Sequence, residues 1–328
     1  MDSCFGWPEG YSQERSLTES WPVEWVMIKA ASEDDIIDAS RSADVLLVER
    51  PSTPISRRVI EALDRCRLIA KYAIGVDNID LAAATEHGIV VCNAGDYCVE
   101  EVSDHAAALI LTCLRRVVSI DRHVRRGGWH NLDFEVPLRR VSSLTLGLVG
   151  FGKIARRLTR KMSGFGLRIL AADPYVQKQD AAALGVELVP QNQLLQESDV
   201  VSIHIPLAME TRKMIGEREF RLMKPSSFLL NTSRGAVLDE QALIQALLEG
   251  RIAGAALDVV EFEPLAADNP LRSLKNVILT AHYAADSQDS IRELHRIMGT
   301  SIAAGLGGGW PMFTVNPEVA PRRRLGSQ

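Results

Sequence analysis

The residues with the clearest chemical spacing are Gly150-Phe-Gly152-Lys153-Ile154-Ala155, which follow the apolar run Thr145 to Val149 and open a helical pattern over Arg156 to Ser163. One glycine permits a tight turn, the second lets backbone approach a diphosphate, and a small residue lets the helix pack closely on its strand. The helix start then offers N–H groups and positive dipole to phosphates. Such a glycine pattern also occurs in plain turns; here its context is a strand before it and a helix after it. The next strand, Arg168 to Ala172, runs into Asp173, 21 residues after Gly152, where a carboxylate can accept from both ribose hydroxyls and repel a 2′-phosphate. Pro174 and Tyr175 follow in place of an arginine, and Lys178 is the only nearby cation, so NAD is favoured over NADP. The competing reading of Asp173 is a cap on the turn before Pro174.

Three later segments each end a strand signal in ionisable residues: Leu230 to Arg234-Gly235, Ala256 to Asp258 and on to Glu263-Pro264, and Thr280-Ala-His282. Residues just past strand C-termini line the ligand crevice of an open α/β sheet, so these distant segments are expected to converge there. An arginine in that place can hold a carboxylate in a bidentate fork, and a histidine with a carboxylate partner can work as an acid or base. Taken singly, Arg234 also reads as a surface ion-pair residue, Glu263 as a turn residue and His282 as a satisfied buried histidine. His87, His105, His123, His130 and His295 have no such partners in sequence and read as structural or surface groups. No carboxylate and histidine spacing resembles a metal ligand set.

The elements that position these residues are short β-branched runs alternating with helical patterns, as in βαβ units around parallel sheets. The strand candidates are Val45 to Val48, Leu68 to Tyr72, Ile89 to Cys92, Thr145 to Val149, Arg168 to Ala172, Val200 to Ile203, Phe228 to Asn231, Ala255 to Leu257 and Val277 to Thr280. Glu100 to Val118 is the longest helical pattern, with acidic residues in its first turn and Arg115 and Arg116 near its end. A helix over Ser290 to Ala304 leads into Gly305 to Trp310 and a Pro/Arg-rich tail read as a loose terminus.

The 328 residues suffice for two domains, and the composition is that of an ordinary globular chain. A net charge of −5 argues against a nucleic-acid or anionic-membrane footprint and for a small-molecule ligand. Cys4, Cys66, Cys92, Cys98 and Cys113 have neither zinc spacing nor even number, so reduced thiols and a cytoplasmic setting are expected. Met1 to Gly10 lacks a basic stretch followed by an apolar one, and the longest apolar stretch, around Ala106 to Leu114, is too short for a membrane span, so neither export nor membrane anchoring is expected.

Together with Gly75-Val-Asp77-Asn78-Ile79-Asp80 and Ser202-Ile-His204-Ile-Pro206-Leu207, these segments resemble the D-isomer-specific 2-hydroxyacid dehydrogenases over nearly the whole chain, in particular the branch near phosphoglycerate dehydrogenases and the C-terminal-binding-protein corepressors. The resemblance implies an α/β fold of two doubly wound parallel-sheet domains. A Rossmann-type NAD domain over 98–289 would be inserted into a smaller flavodoxin-like substrate domain made of 1–97 and the returning 290–328. It implies that Arg234 grips the substrate carboxylate, and that His282, hydrogen-bonded to Glu263, exchanges the proton of the 2-keto oxygen. Gly150, Gly152, Lys153, Ile154, Ala155, Asp173, His204, Pro206, Thr232, Asp258 and Val102 would contact NAD, with Asp258 facing the nicotinamide. Lys71, Ile74 and Gly75 would contact the substrate. A homodimer built around the helix beginning near Glu100 is also implied.

The resemblance weakens in places. Ala281 stands where relatives commonly have proline, Tyr283-Ala284-Ala285-Asp286 follow the histidine, and the tryptophan of the corepressors is absent. Ile74 replaces the lysine of phosphite-oxidising relatives. The chain begins near where the family's first strand would end, and Met1 to Ser20, with Gly6, Trp7, Pro8 and Gly10, reads as an irregular edge. The implied activity is NAD-dependent interconversion of a small 2-keto acid and its (R)-2-hydroxy acid; the alternative is an NAD(H)-sensing, corepressor-like interaction protein.

Overall fold

In the computed structural model, residues 10–49, 54–130, 134 and 137–322 are described. The chain divides into two compact units, one holding the residues through Tyr97 together with those from Ser287 onward, the other holding Cys98–Asp286.

In the first unit, β1 (Val45–Val48), β2 (Leu68–Lys71) and β3 (Val90–Cys92) form a parallel sheet in chain order. All the residues of β2 and β3 are buried, as expected of parallel strands covered on both faces. The sheet is shorter than a flavodoxin-like order implies, because among the described residues no strand precedes Val45.

Two stretches of this unit, 10–20 and 311–322, are tied into the fold more closely than the sequence suggests. A short helix, Ser12–Leu17, lies within the stretch read as irregular. Its Glu14 is fully buried and accepts from Tyr72 Oη (3.0 Å) and pairs with His295 Nδ1 (2.5 Å). A buried carboxylate with two such partners anchors the helix, a tertiary effect that local composition does not report. Cys4 and residues 6 to 8 lie outside the described residues. The tail is corrected in the same way. Asn316 donates to Ile89 O (3.0 Å) and accepts from Val91 N (2.8 Å), while Asn93 N and Val315 N complete a strap along β3. The polar edge of β3 is thereby satisfied, which is why residues 311–322 are held. Residues 323–328 lie outside the described part.

The second unit contains β4 (Thr145–Val149), β5 (Arg168–Ala172), β6 (Glu187–Leu188), β7 (Val200–Ile203), β8 (Phe228–Asn231), β9 (Gly254–Leu257) and β10 (Val277–Leu279). All pairs are parallel, in the order β10-β9-β8-β7-β4-β5-β6. The order reverses between β4 and β7, so a crevice is expected beyond their carboxyl ends. β6 has only two residues and no alternating pattern that marks it in sequence.

The long helix ends earlier than predicted. It spans Val99–Arg115, Arg116 takes a left-handed conformation (φ 55°), and a second helix follows over Val117–Arg125. The Arg116 guanidinium stacks over the Phe228 ring at 4.4 Å, a contact with β8 that fixes the break. The thiols of Cys66, Cys92 and Cys113 are pushed up to about 12 by burial, so they remain protonated. Among the described residues, no helix is long and apolar enough to cross a membrane.

Candidate active site

The register of the sheet aligns the three ionisable segments. Asn231 at the end of β8 pairs with Leu257 at the end of β9, and Leu257 pairs with Leu279 at the end of β10. The chain beyond these residues stays linked: Asp258 N donates to Asn231 O (3.0 Å), and His282 N donates to Asp258 O (2.7 Å). Arg234, Asp258 and His282 therefore leave one sheet edge from neighbouring strands.

Each turn is held by a buried polar side chain. Asn231, fully buried, donates to Arg234 O (2.9 Å) and accepts from Ser233 N (2.9 Å), which shapes the turn that presents the arginine. Gly235 follows where the turn crosses Val260 so closely that a Cβ would fall 1.9 Å from its carbonyl. Glu240 accepts from Glu261 N (2.9 Å) and Asn269 Nδ2 (2.8 Å), anchoring the loop that carries Glu263. The half-exposed Glu263 accepts from Val260 N through Oε1 (3.3 Å) and lies 2.8 Å from His282 Nδ1 through Oε2. A carboxylate only accepts, so Nδ1 carries the hydrogen and Nε2 is left to give or take a proton. The sequence-predicted pair is thus formed.

Asp258 has a task the sequence did not disclose. Its side chain is buried, and its Oδ1 accepts from Thr280 Oγ1 (2.5 Å) and Tyr283 N (3.0 Å), while Oδ2 accepts from Ala284 N (3.0 Å). It therefore clasps both sides of His282, whose φ of 59° is left-handed. His105 is corrected from a partnerless histidine: its Nε2 lies 3.0 Å from Thr280 Oγ1 and 3.6 Å from Asp258 Oδ1. His295, paired with Glu14, is corrected likewise.

The glycine turn lies at the switch point. Gly150 has φ 87°, and a Cβ there would meet His204 O at 2.7 Å, so only glycine lets the turn after β4 pass this close to the chain beyond β7. Gly152 caps the Lys153–Met162 helix with no side chain, and a Cβ built on it meets nothing within 4 Å, leaving open space before the helix start. Lys153 is exposed there, Ile154 is half-buried, and Ala155 is fully buried against the sheet. Asp173 accepts from Phe151 N and Tyr175 N, both at 2.8 Å, so it caps its own turn and ties the glycine loop. The Thr232 hydroxyl is buried without a hydrogen-bond partner at the end of β8. An open helix start and an orphaned hydroxyl beyond the strand ends fit a dinucleotide. His204 Nε2 lies 2.9 Å from Ser202 Oγ, and burial lowers its pKa to about 4, so it is neutral at pH 7. Pro206 is exposed and Val102 is buried on the Val99–Arg115 helix.

In the smaller unit, Lys71 is buried and donates to Glu49 O (3.2 Å). Ile74 O accepts from Asn93 Nδ2 (2.7 Å), and Ile74 and Gly75 are half-buried.

Residues 107–284 match the family model described as D-isomer specific 2-hydroxyacid dehydrogenase, NAD binding domain. A glyoxylate reductase from Korarchaeum cryptofilum is 43% identical over 300 residues, covering 89% of each chain. The chain belongs to the D-isomer specific 2-hydroxyacid dehydrogenase family. A D-3-phosphoglycerate dehydrogenase from Methanocaldococcus jannaschii is 36% identical over 296 residues, 90% of this chain but 56% of that one. The solved D-lactate dehydrogenase from Aquifex aeolicus, complexed with NAD and lactic acid, aligns with TM-score 0.81 and 28% identity over 92% of this chain and 94% of that one. As a member of the D-isomer specific 2-hydroxyacid dehydrogenases, the chain carries a Rossmann-type NAD-binding domain and is an NAD-dependent D-2-hydroxyacid dehydrogenase.

Proposed function

We propose that the protein interconverts a small 2-keto acid and its (R)-2-hydroxy acid with Arg234, Glu263 and His282 as the working side chains. The observation that carries this reading is the 2.8 Å contact between His282 Nδ1 and Glu263 Oε2 on a sheet edge shared with Arg234. Bound NAD(H) supplies the hydride acceptor or donor. The Arg234 guanidinium takes the substrate carboxylate in a fork and polarises the keto oxygen. His282 Nε2 gives that oxygen a proton during reduction and takes it back during oxidation, while the Glu263 carboxylate steadies the charged ring. Positioning supplies much of the rate, because the reacting carbon must be held in near contact.

Gly150, Gly152, Lys153, Ile154, Ala155, Asp173, His204, Pro206, Thr232, Asp258 and Val102 are assigned to the cofactor side of this reading. Lys71, Ile74 and Gly75 are assigned to the substrate on family position. Glyoxylate and lactate, named in the relatives above, set the class of acid: small and 2-oxygenated. Those relatives are reductases and dehydrogenases and lend no support to the interaction-protein alternative. A homodimer is part of the proposal. The Val99–Arg115 helix buries seven residues, whereas the adjoining Val117–Arg125 helix leaves Val117, Ile120 and Val124 exposed, an apolar row suited to a second copy. A cytoplasmic location accords with four buried free cysteines, Cys66, Cys92, Cys98 and Cys113.

The test is NADH oxidation across a panel of 2-keto acids by wild type, Arg234→Ala and His282→Ala. Turnover by wild type with loss in both variants and retained NADH binding is expected; an Arg234→Ala variant with undiminished kcat/KM defeats the assignment.

A further inference from the structure

His105 sits on the Val99–Arg115 helix, outside the three strand-end segments, yet its imidazole reaches them. The Asp258 carboxylate can only accept, so the Thr280 hydroxyl donates to it at 2.5 Å, and the lone pair left on Oγ1 accepts from His105 Nε2–H at 3.0 Å. The result is a directed chain from helix to hydroxyl to carboxylate. Its last member holds Tyr283 N and Ala284 N, both at 3.0 Å, and the main-chain oxygen of the same residue holds His282 N at 2.7 Å. Every hydrogen bond in this chain bears on the backbone around His282, where φ is 59° and an ordinary side chain is disfavoured.

We propose that His105 is a positioning residue: through Thr280 it fixes the Asp258 carboxylate, which locks the 281–284 backbone in the conformation that aims His282. The inference rests on the reading of His282 as the proton-transferring group. A strained backbone persists only where its surroundings over-determine it, and three groups on three separate elements do so here. His105 touches none of the reacting atoms in this scheme; it acts through the carboxylate.

The full chain bearing His105→Leu, His105→Gln or Thr280→Val is compared with wild type by NADH-linked keto-acid reduction and by amide hydrogen exchange. In His105→Leu, kcat is expected to fall roughly tenfold or more, since small misplacement of a reacting group is costly. Exchange should quicken over 281–286 and remain unchanged over β4 and β5. His105→Gln, whose amide can still donate to Thr280, should recover most of kcat. Thr280→Val removes the bridging hydroxyl and should repeat the His105→Leu result, and it stands in for that variant should it fail to fold. Unchanged exchange over 281–286 in both variants overturns the proposal, and so does quickening spread evenly through the unit, which signals lost packing. A wild type that reduces no 2-keto acid defeats the functional reading alone, and exchange still decides whether His105 braces the segment.

Discussion

Gly235 and Val260 approach so closely that the second hydrogen of the glycine occupies the only space available: a Cβ would stand 1.9 Å from both the carbonyl carbon and oxygen of Val260. The Arg234 turn and the loop leading to Glu263 are therefore in backbone contact, and a side chain at 235 must push them apart. Gly235→Ala is expected to cost about 2 kcal/mol or more by overpacking. It should also raise the KM for the keto acid, since Arg234 moves with the turn. Thermal unfolding and steady-state kinetics on the same preparation check both.

Glu263→Gln keeps the shape of the side chain and removes its charge. The imidazolium of His282 then forms beside a neutral amide, so kcat is expected to drop on the order of 10²-fold, the range for general acid–base partners. NADH affinity, followed by fluorescence titration, should not change, because the glycine turn lies beyond β4 rather than β9.

His204 predicts a pH dependence of stability. Its folded pKa is lowered from 6.5 to about 4 by burial, so the unfolded chain takes up a proton at higher pH than the folded one. The folded state therefore keeps its full stability above the unfolded value and loses it as pH falls from about 6.5 toward 4. In urea unfolding, His204→Gln should show a smaller loss across that window than wild type.

Asn316 serves three backbone and side-chain partners beside β3: Val91 N, Ile89 O and Thr85 Oγ1. Asn316→Ala strands buried donors and acceptors at that edge and is expected to cost about 2–3 kcal/mol. A lowered urea midpoint with unchanged slope is the expected outcome.

Strands with apolar, β-branched runs were legible to within a residue, because burial on both faces writes itself into composition: Thr145–Val149, Val200–Ile203 and Phe228–Asn231 have the bounds that the sequence predicts. The glycine turn and the pairing of Glu263 with His282 were legible too, the first from steric spacing and the second with the help of the family resemblance. What the sequence left hidden depends on contacts between distant residues. The break at Arg116 follows from the Phe228 ring, the order of the tail from the β3 edge, and the Ser12–Leu17 helix from a buried glutamate meeting His295. His105 is the clearest case, for no local pattern links a helical histidine to a threonine 175 residues later.

The left-handed backbone at His282 sets stability against turnover. Glycine adopts φ near 59° without the steric penalty that histidine bears, so His282→Gly should gain about 1 kcal/mol of conformational ease, offset by the forfeited Glu263 contact, while abolishing proton transfer. The gain and the loss have opposite signs, so in the reading proposed above the strain at 282 is borne for proton transfer rather than for the fold.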